Sequence, residues 1–186
     1  MLTTSPRRSG AISAGLLAIA LGVGLGAAAC ESQGTRQGYE PVQPIEYSHA
    51  LHAGERQIDC QYCHFGAETS RHAGVPPAGV CMNCHAQVKK DSPEVQKIAA
   101  AVASGEPIEW VKVHRLADFV YFNHARHTGS GVACQSCHGP VETMVRVRQV
   151  ETMSMGWCLD CHRDPAARVP GGEALSPPTD CAACHQ

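Results

Sequence analysis

Apolar residues along this chain fall into three regimes. From Gly10 to Ala29 no residue is charged, after a polar opening that holds Arg7 and Arg8. A basic n-region followed by an apolar h-region is a secretory signal. The run is also long enough to span a bilayer if helical, but five glycines within it disfavour a stable helix and favour processing. The second regime runs from Asp91 to Ser104, where Val95, Ile98, Ala99 and Val102 recur at helical spacing. This predicts an amphipathic helix with Ser92 as N-cap, Pro93 at the first helical position and Ser104-Gly105 as its stop, its stripe serving packing rather than a partner. Elsewhere no period persists. Glu31 to Pro44, rich in Gly, Gln and Pro, reads as a tether, and Arg163 to Asp180, with four prolines and two glycines, as a loop.

Composition sharpens this picture. Aromatic residues make up 5% of the 186 residues and charged residues 17%. That is a thin apolar supply for an ordinary core, so a bound cofactor is expected to replace one, and folding is expected to depend on it. After the first thirty residues, thirteen basic groups face seventeen acidic ones. No basic patch argues for nucleic acid.

The candidate chemistry lies in one pattern, Cys-x-x-Cys-His, written five times: Cys60–Cys63–His64, Cys81–Cys84–His85, Cys134–Cys137–His138, Cys158–Cys161–His162 and Cys181–Cys184–His185. Cys-x-x-Cys pairs also build zinc ribbons and disulfides, but neither needs His directly after the second Cys. Five such coincidences point instead to attachment of c-type haem. Two thiols three positions apart on a tight turn each form a thioether to one haem, and the following imidazole becomes the proximal iron ligand. Five covalently bound haem c groups are therefore expected, on short helical turns.

Six histidines remain for the far side of each iron: His49, His52, His72, His114, His124 and His127. Four belong to an internal repeat, because Tyr47-Ser-His49-Ala-Leu-His52 matches Phe122-Asn-His124-Ala-Arg-His127. Each copy precedes two haem motifs, so the chain reads as two di-haem modules plus a fifth motif. Two imidazoles three apart on a helical turn lie near one face and can serve neighbouring haems. His114, in Trp110-Val-Lys-Val-His114, is a further candidate, and His72, in a loop-like stretch, a weaker one. Met155 is the sulfur candidate; a ligating thioether raises a haem's potential. The expected layout is 1–30 signal, lipoprotein or anchor segment, 31–45 tether, 46–90 first di-haem module, 91–113 helical linker, 114–164 second di-haem module and 165–186 the fifth-haem segment. The expected fold class is a multihaem cytochrome c, mostly irregular, with a few short α-helices packed around haems and little or no β-structure.

Ten of the eleven cysteines lie in the motifs, and Cys30 is left over. It follows Ala27-Ala28-Ala29, as the lipidated Cys of a bacterial lipobox follows small residues, although the usual Leu three positions before it is absent. Lipidation, an uncut anchor or release as a secreted product all place the body outside the cytoplasmic membrane. The expected location is the periplasmic face of that membrane, with the protein attached to it.

Aromatic-x-His-x-x-His followed by Cys-x-x-Cys-His resembles the class III multihaem cytochromes c. Ala73-Gly-Val-Pro-Pro77, Pro107-Ile-Glu-Trp-Val-Lys-Val-His114, Asp118-Phe-Val-Tyr-Phe-Asn-His124, Cys137-His-Gly-Pro-Val-Glu142 and Met155-Gly-Trp-Cys158 resemble more closely the pentahaem subunit of alternative complex III, a bacterial quinol:acceptor oxidoreductase. The similarity covers most of residues 45–164; after Pro165 it rests on the fifth motif alone. It implies a membrane complex in which a quinol-oxidising membrane subunit and an iron–sulfur, molybdopterin-like subunit pass electrons through these haems to a monohaem cytochrome c or an oxidase. Members of that family usually begin with a transmembrane anchor, so a lipidated Cys30 would be a departure. Ligand arithmetic favours a carrier with no catalysis of its own, since hexacoordinate irons leave no place for substrate. The alternatives are a multihaem reductase with one open haem, and an electron-donor subunit of another periplasmic oxidoreductase.

Overall fold

Among the described residues, short helices are nearly all the regular structure, and Asp59, Asn123 and Ser154 cap three of them. The computed structural model describes residues 36–185 together with Met1; the Gly10–Ala29 run, Cys30 and Glu31–Thr35 lie outside the described residues. Six α-helices follow in order: α1 Cys60–Cys63, α2 Ala78–His85, α3 Pro93–Ser104, α4 His124–Gly129, α5 Gln135–His138 and α6 Met155–Arg163. A π-helical turn, Ala50–Glu55, precedes α1, and five 3-10 turns are interspersed, among them Phe65–Ala67, Val141–Thr143 and Cys181–Ala183. Among the described residues there is no strand, only one isolated bridge between Val120 and His185. This is the helix-poor, irregular architecture the sequence predicts, and none of these helices is long and apolar enough to cross a membrane.

The longest helix, α3, follows its sequence signals. Pro93 opens it and Gly105 closes it in the left-handed conformation at φ 75°, where glycine carries no steric cost. Val95 and Ile98 are buried, whereas Val102 at the far end of the stripe is exposed. Ser92 precedes the first turn without its side chain capping it. Glu94 takes over that end: one carboxylate oxygen accepts from the Glu46 backbone N–H at 2.9 Å and the other pairs with Lys97 at 2.7 Å. The helix is thereby tied to the chain just ahead of Tyr47.

Residues 36–45, tether-like in composition, are pinned to the body. Gly38 N–H donates to the Gln149 carbonyl at 2.7 Å, and Gln149 N–H to Tyr39 at 3.0 Å. Gln43 exchanges two hydrogen bonds with the backbone of Val111, both 2.9 Å. Gln149 is only 1% exposed, and Ile45, Ala67, Val95, Ile98, Met144 and Val169 are the buried apolar residues. So small a set of buried side chains matches the thin apolar supply of the sequence.

The two repeats hold each other. Ala50 of the π-helical turn donates to the Met144 carbonyl at 2.9 Å, at the end of the 3-10 turn after the third motif. A Cβ on Gly54 would stand 2.3 Å from the Glu142 carbonyl oxygen, so only glycine allows this approach. In return α4 packs on the turn after the first motif. Thr128 Oγ1 donates to the Ala67 carbonyl at 2.9 Å, Ala125 N–H to Ser70 at 3.1 Å and His124 N–H to Arg71 at 3.2 Å. Each histidine-bearing turn thus rests against the motif segment of the other repeat.

Candidate functional site

Each Cys-x-x-Cys-His begins where the chain is bent by a cap or a short helix. Asp59 accepts from Gln61 N–H at 2.7 Å to start α1, and Asp180 accepts from Ala183 N–H at 3.0 Å to start the turn Cys181–Ala183. Ser154 accepts from Trp157 N–H at 3.3 Å to start α6, which carries the fourth motif. Such caps satisfy otherwise orphaned donors, and the turn they start puts positions i and i+3 on one face. None of the ten motif cysteines is joined in a disulfide. Burial, with neighbouring thiols and Glu151, pushes the Cys137 thiol up to about 11.

The imidazoles come in opposed pairs. His49 faces His64 with ring centres 6.5 Å apart, and His52 faces His85 at 6.1 Å. His124 faces His138 at 6.3 Å, and His127 faces His162 at 6.1 Å. Every pair joins one repeat histidine to one motif histidine. Two imidazoles on opposite sides of one metal, with bonds of about 2 Å, hold their ring centres about 6 Å apart. True ring stacks in the same protein are closer: Tyr47 on His52 and Phe122 on His127 are both 4.4 Å. The described residues hold no cluster of three or more His, Cys, Asp or Glu suited to a bare ion; the donors are organised in twos.

Hydrogen bonds orient these rings. Nδ1–H donates to a backbone carbonyl in six of the eight: His64 to Gly74 at 2.7 Å, His85 to Val88 at 2.9 Å, His162 to Pro178 at 2.7 Å, His52 to Ser48 at 2.8 Å, His124 to Arg71 at 3.0 Å and His127 to Asn123 at 2.8 Å. A carbonyl only accepts, so Nδ1 carries the proton and Nε2 keeps its lone pair, as in a metal-bound histidine with its outer shell in place. Burial, and then the neighbouring rings of His64 and His52, lower His49 to about 4. Burial, followed by His114, His124 and His64, takes His138 to about 3. Burial also lowers His127. Neutral imidazoles are the ligating form.

The aromatic residue of each repeat is a buttress. Tyr47 stacks on His52 at 25° and meets His49 edge-on at 4.8 Å and 87°. Phe122 stacks on His127 at 29° and meets His124 edge-on at 4.8 Å and 89°. Tyr47 and Phe122, at matching places in the two repeats, thus hold nearly identical geometry.

The other sequence candidates stand apart. His114 lies edge-on against His138 with ring centres 4.4 Å apart, well short of the 6.1–6.5 Å of the opposed pairs and too close for a shared metal. Burial lowers it to about 4, and its Nε2 is buried without a partner. His72 is exposed in its loop. Met155 is 66% exposed at the start of α6, one turn before Cys158. His185 is paired with no second imidazole among the described residues; the ring beside it is Phe119, 5.7 Å away. The carbonyls that orient the rings, and the caps Asp59 and Asp180, are functional groups the sequence reading did not single out. Asp directly before each Cys was the visible signal for the caps.

Two known groups of proteins are similar to parts of this chain. Residues 120–186 match the family described as cytochrome c7 and related cytochrome c. A 97-residue stretch is 35% identical to the menaquinone reductase multiheme cytochrome c subunit of Nitratidesulfovibrio vulgaris (strain Hildenborough), covering 52% of this chain and 45% of that protein. The chain thus matches less than half the length of this relative. Both matches are to multihaem cytochromes c, the class of protein to which five Cys-x-x-Cys-His motifs and the imidazole pairs point.

Proposed function

We propose that this chain is an electron-transfer subunit carrying five covalently attached haem c groups. The observation that carries this reading is the set of four imidazole pairs at 6.1–6.5 Å, each with one member directly after a Cys-x-x-Cys. Haem supplies an iron that changes oxidation state by one electron. The chain's residues do the rest. Ten thiols fasten the groups, and His64, His85, His138, His162 and His185 bind from the proximal side. His49, His52, His124 and His127 close the far side of the first four sites. Two strong-field imidazoles keep an iron low-spin and leave no position for substrate, so these sites conduct rather than catalyse. For the fifth site the favoured distal ligand is Met155, the sulfur candidate at the start of α6, because the same helix is tied by His162 to Pro178, just ahead of the fifth motif. His114 is favoured as a support for the His138 ring.

The relative named as a menaquinone reductase cytochrome subunit supports service in a quinone-linked membrane complex. The resemblance of residues 45–164 favours alternative complex III, with an iron–sulfur, molybdopterin-like subunit and quinol-oxidising membrane subunits as partners. A monohaem cytochrome c or an oxidase would be the acceptor, on the periplasmic face of the membrane. The test is intact-mass analysis of the mature protein purified from its own membranes. The expected result is five haem masses per chain and co-purification with quinone-oxidoreductase subunits. Fewer than five overturns the count, and isolation as a free protein overturns the complex.

A further inference from the structure

Motif order along the sequence and site order in space differ, and the difference shows how electrons cross the molecule. The first and second sites are neighbours because His49 and His52, which face His64 and His85, lie three residues apart on one turn. Tyr62 inside the first motif also accepts a hydrogen bond from Asn83 inside the second, at 3.0 Å. By the same logic the third and fourth sites are neighbours through His124 and His127. The reciprocal packing of the repeats then sets the first site against the third. Thr128 reaches Ala67, Ala50 reaches Met144 and Gly54 abuts Glu142. Between them, His124 Nδ1–H donates to the Arg71 carbonyl at 3.0 Å, so the third site's imidazole rests on the segment that follows the first motif. The fifth motif joins beyond the fourth. His162 donates to the Pro178 carbonyl at 2.7 Å in the segment that leads into Cys181, and Tyr121 N–H, next to the Phe122 that stacks on His127, donates to the Cys184 carbonyl at 2.8 Å.

Resting on the haem reading above, we infer that the five sites form one unbranched row in the order second, first, third, fourth, fifth. The Cys81–His85 end and the Cys181–His185 end are then its two terminals, and the row crosses between the repeats from the first site to the third. One electron enters at one terminal for each that leaves at the other. No bond forms or breaks and no proton need move. The terminals differ in kind, since the second site is closed by two imidazoles and the fifth is not.

The test uses the full holoprotein carrying His127→Ala, which opens the fourth site and gives it a high-spin absorbance of its own. A photoactivated ruthenium reductant, with a sacrificial donor, is attached at an exposed position near either terminal: Lys90→Cys beside the second site, or Ser176→Cys beside the fifth. From Ser176→Cys the high-spin band should be reduced promptly. From Lys90→Cys it should follow reduction of the low-spin bands, with a clear lag. Equal lags, or a faster response from Lys90→Cys, would overturn the row. The haem reading fails separately, by the absence of the covalent haem mass and of any high-spin band in the same sample.

Discussion

Replacing Tyr47 by Leu removes the ring that orients both distal imidazoles of the first repeat. Tyr47 touches His52 face-on at 4.4 Å and His49 edge-on at 4.8 Å. Each aromatic pair is worth roughly 0.5–1.5 kcal/mol beyond its buried area, so the two together supply about 1–3 kcal/mol. For a domain of this size that is a fall of roughly 2–12 °C in Tm. A spectroscopic consequence follows from the planes of the rings. His49 and His64 are within 3° of parallel, whereas His52 and His85 are twisted by 58°. Parallel imidazoles donate into the same iron d orbital and split the orbital pair, giving a rhombic ferric signal. Twisted ones donate into both and give a more anisotropic signal. The second repeat shows the same contrast, 3° against 39°, so the oxidised protein should show two low-spin classes in EPR. Tyr47→Leu should broaden one signal of each class, while Tyr47→Phe should leave both intact, because Phe122 holds the same geometry without a hydroxyl. If Tyr47→Leu lowers Tm but retains the parental EPR spectrum, the ring is packing alone and the buttress argument fails.

Other outcomes follow from the site. Met155→Leu should leave haem content unchanged and allow carbon monoxide to bind one reduced haem; binding at equal strength in the parent would remove Met155 as the fifth site's ligand. His124→Ala should convert one haem to high-spin with all five still covalently held, whereas His72→Ala, at an exposed ring, should leave the visible spectrum unchanged. Swapped responses would exchange their roles. Cys30→Ser should release the protein from isolated membranes if lipid is the anchor; retention after salt washing would assign attachment to the uncut segment or a partner.

The parts of this molecule legible in sequence are those whose cause is local. Cys-x-x-Cys-His is legible because a thioether pair and a proximal imidazole must lie within one turn, and aromatic-x-His-x-x-His because two neighbouring sites share one turn. Helix α3 is legible because Pro93 and the Val95–Ile98 stripe act within its twelve residues and Gly105 directly after them. What stayed hidden depends on backbone groups or on distance. The carbonyls of Gly74, Val88, Arg71 and Pro178 fix four imidazoles, yet every residue has a carbonyl, so no residue type announces the role. Gln149, which pins residues 38 and 39, is likewise an unremarkable polar residue until its burial is seen.

The assignment of distal ligands shows where spacing stops being informative. His114 sits in a string as distinctive as the repeats and is as buried as a ligand should be, but its ring meets His138 at 4.4 Å. A distal ligand must stand a metal's width away from its partner, and that gap is a property of two segments brought together by a third. Here the third is the reciprocal packing of each repeat's histidine turn on the other repeat's motif segment, held by Gly54, Thr128 and Ala50. Because that packing also sets α4 on the turn after the first motif, the contact that positions the distal imidazoles is the one that joins the two halves of the row. A change that loosens it should therefore disturb ligation and conduction together.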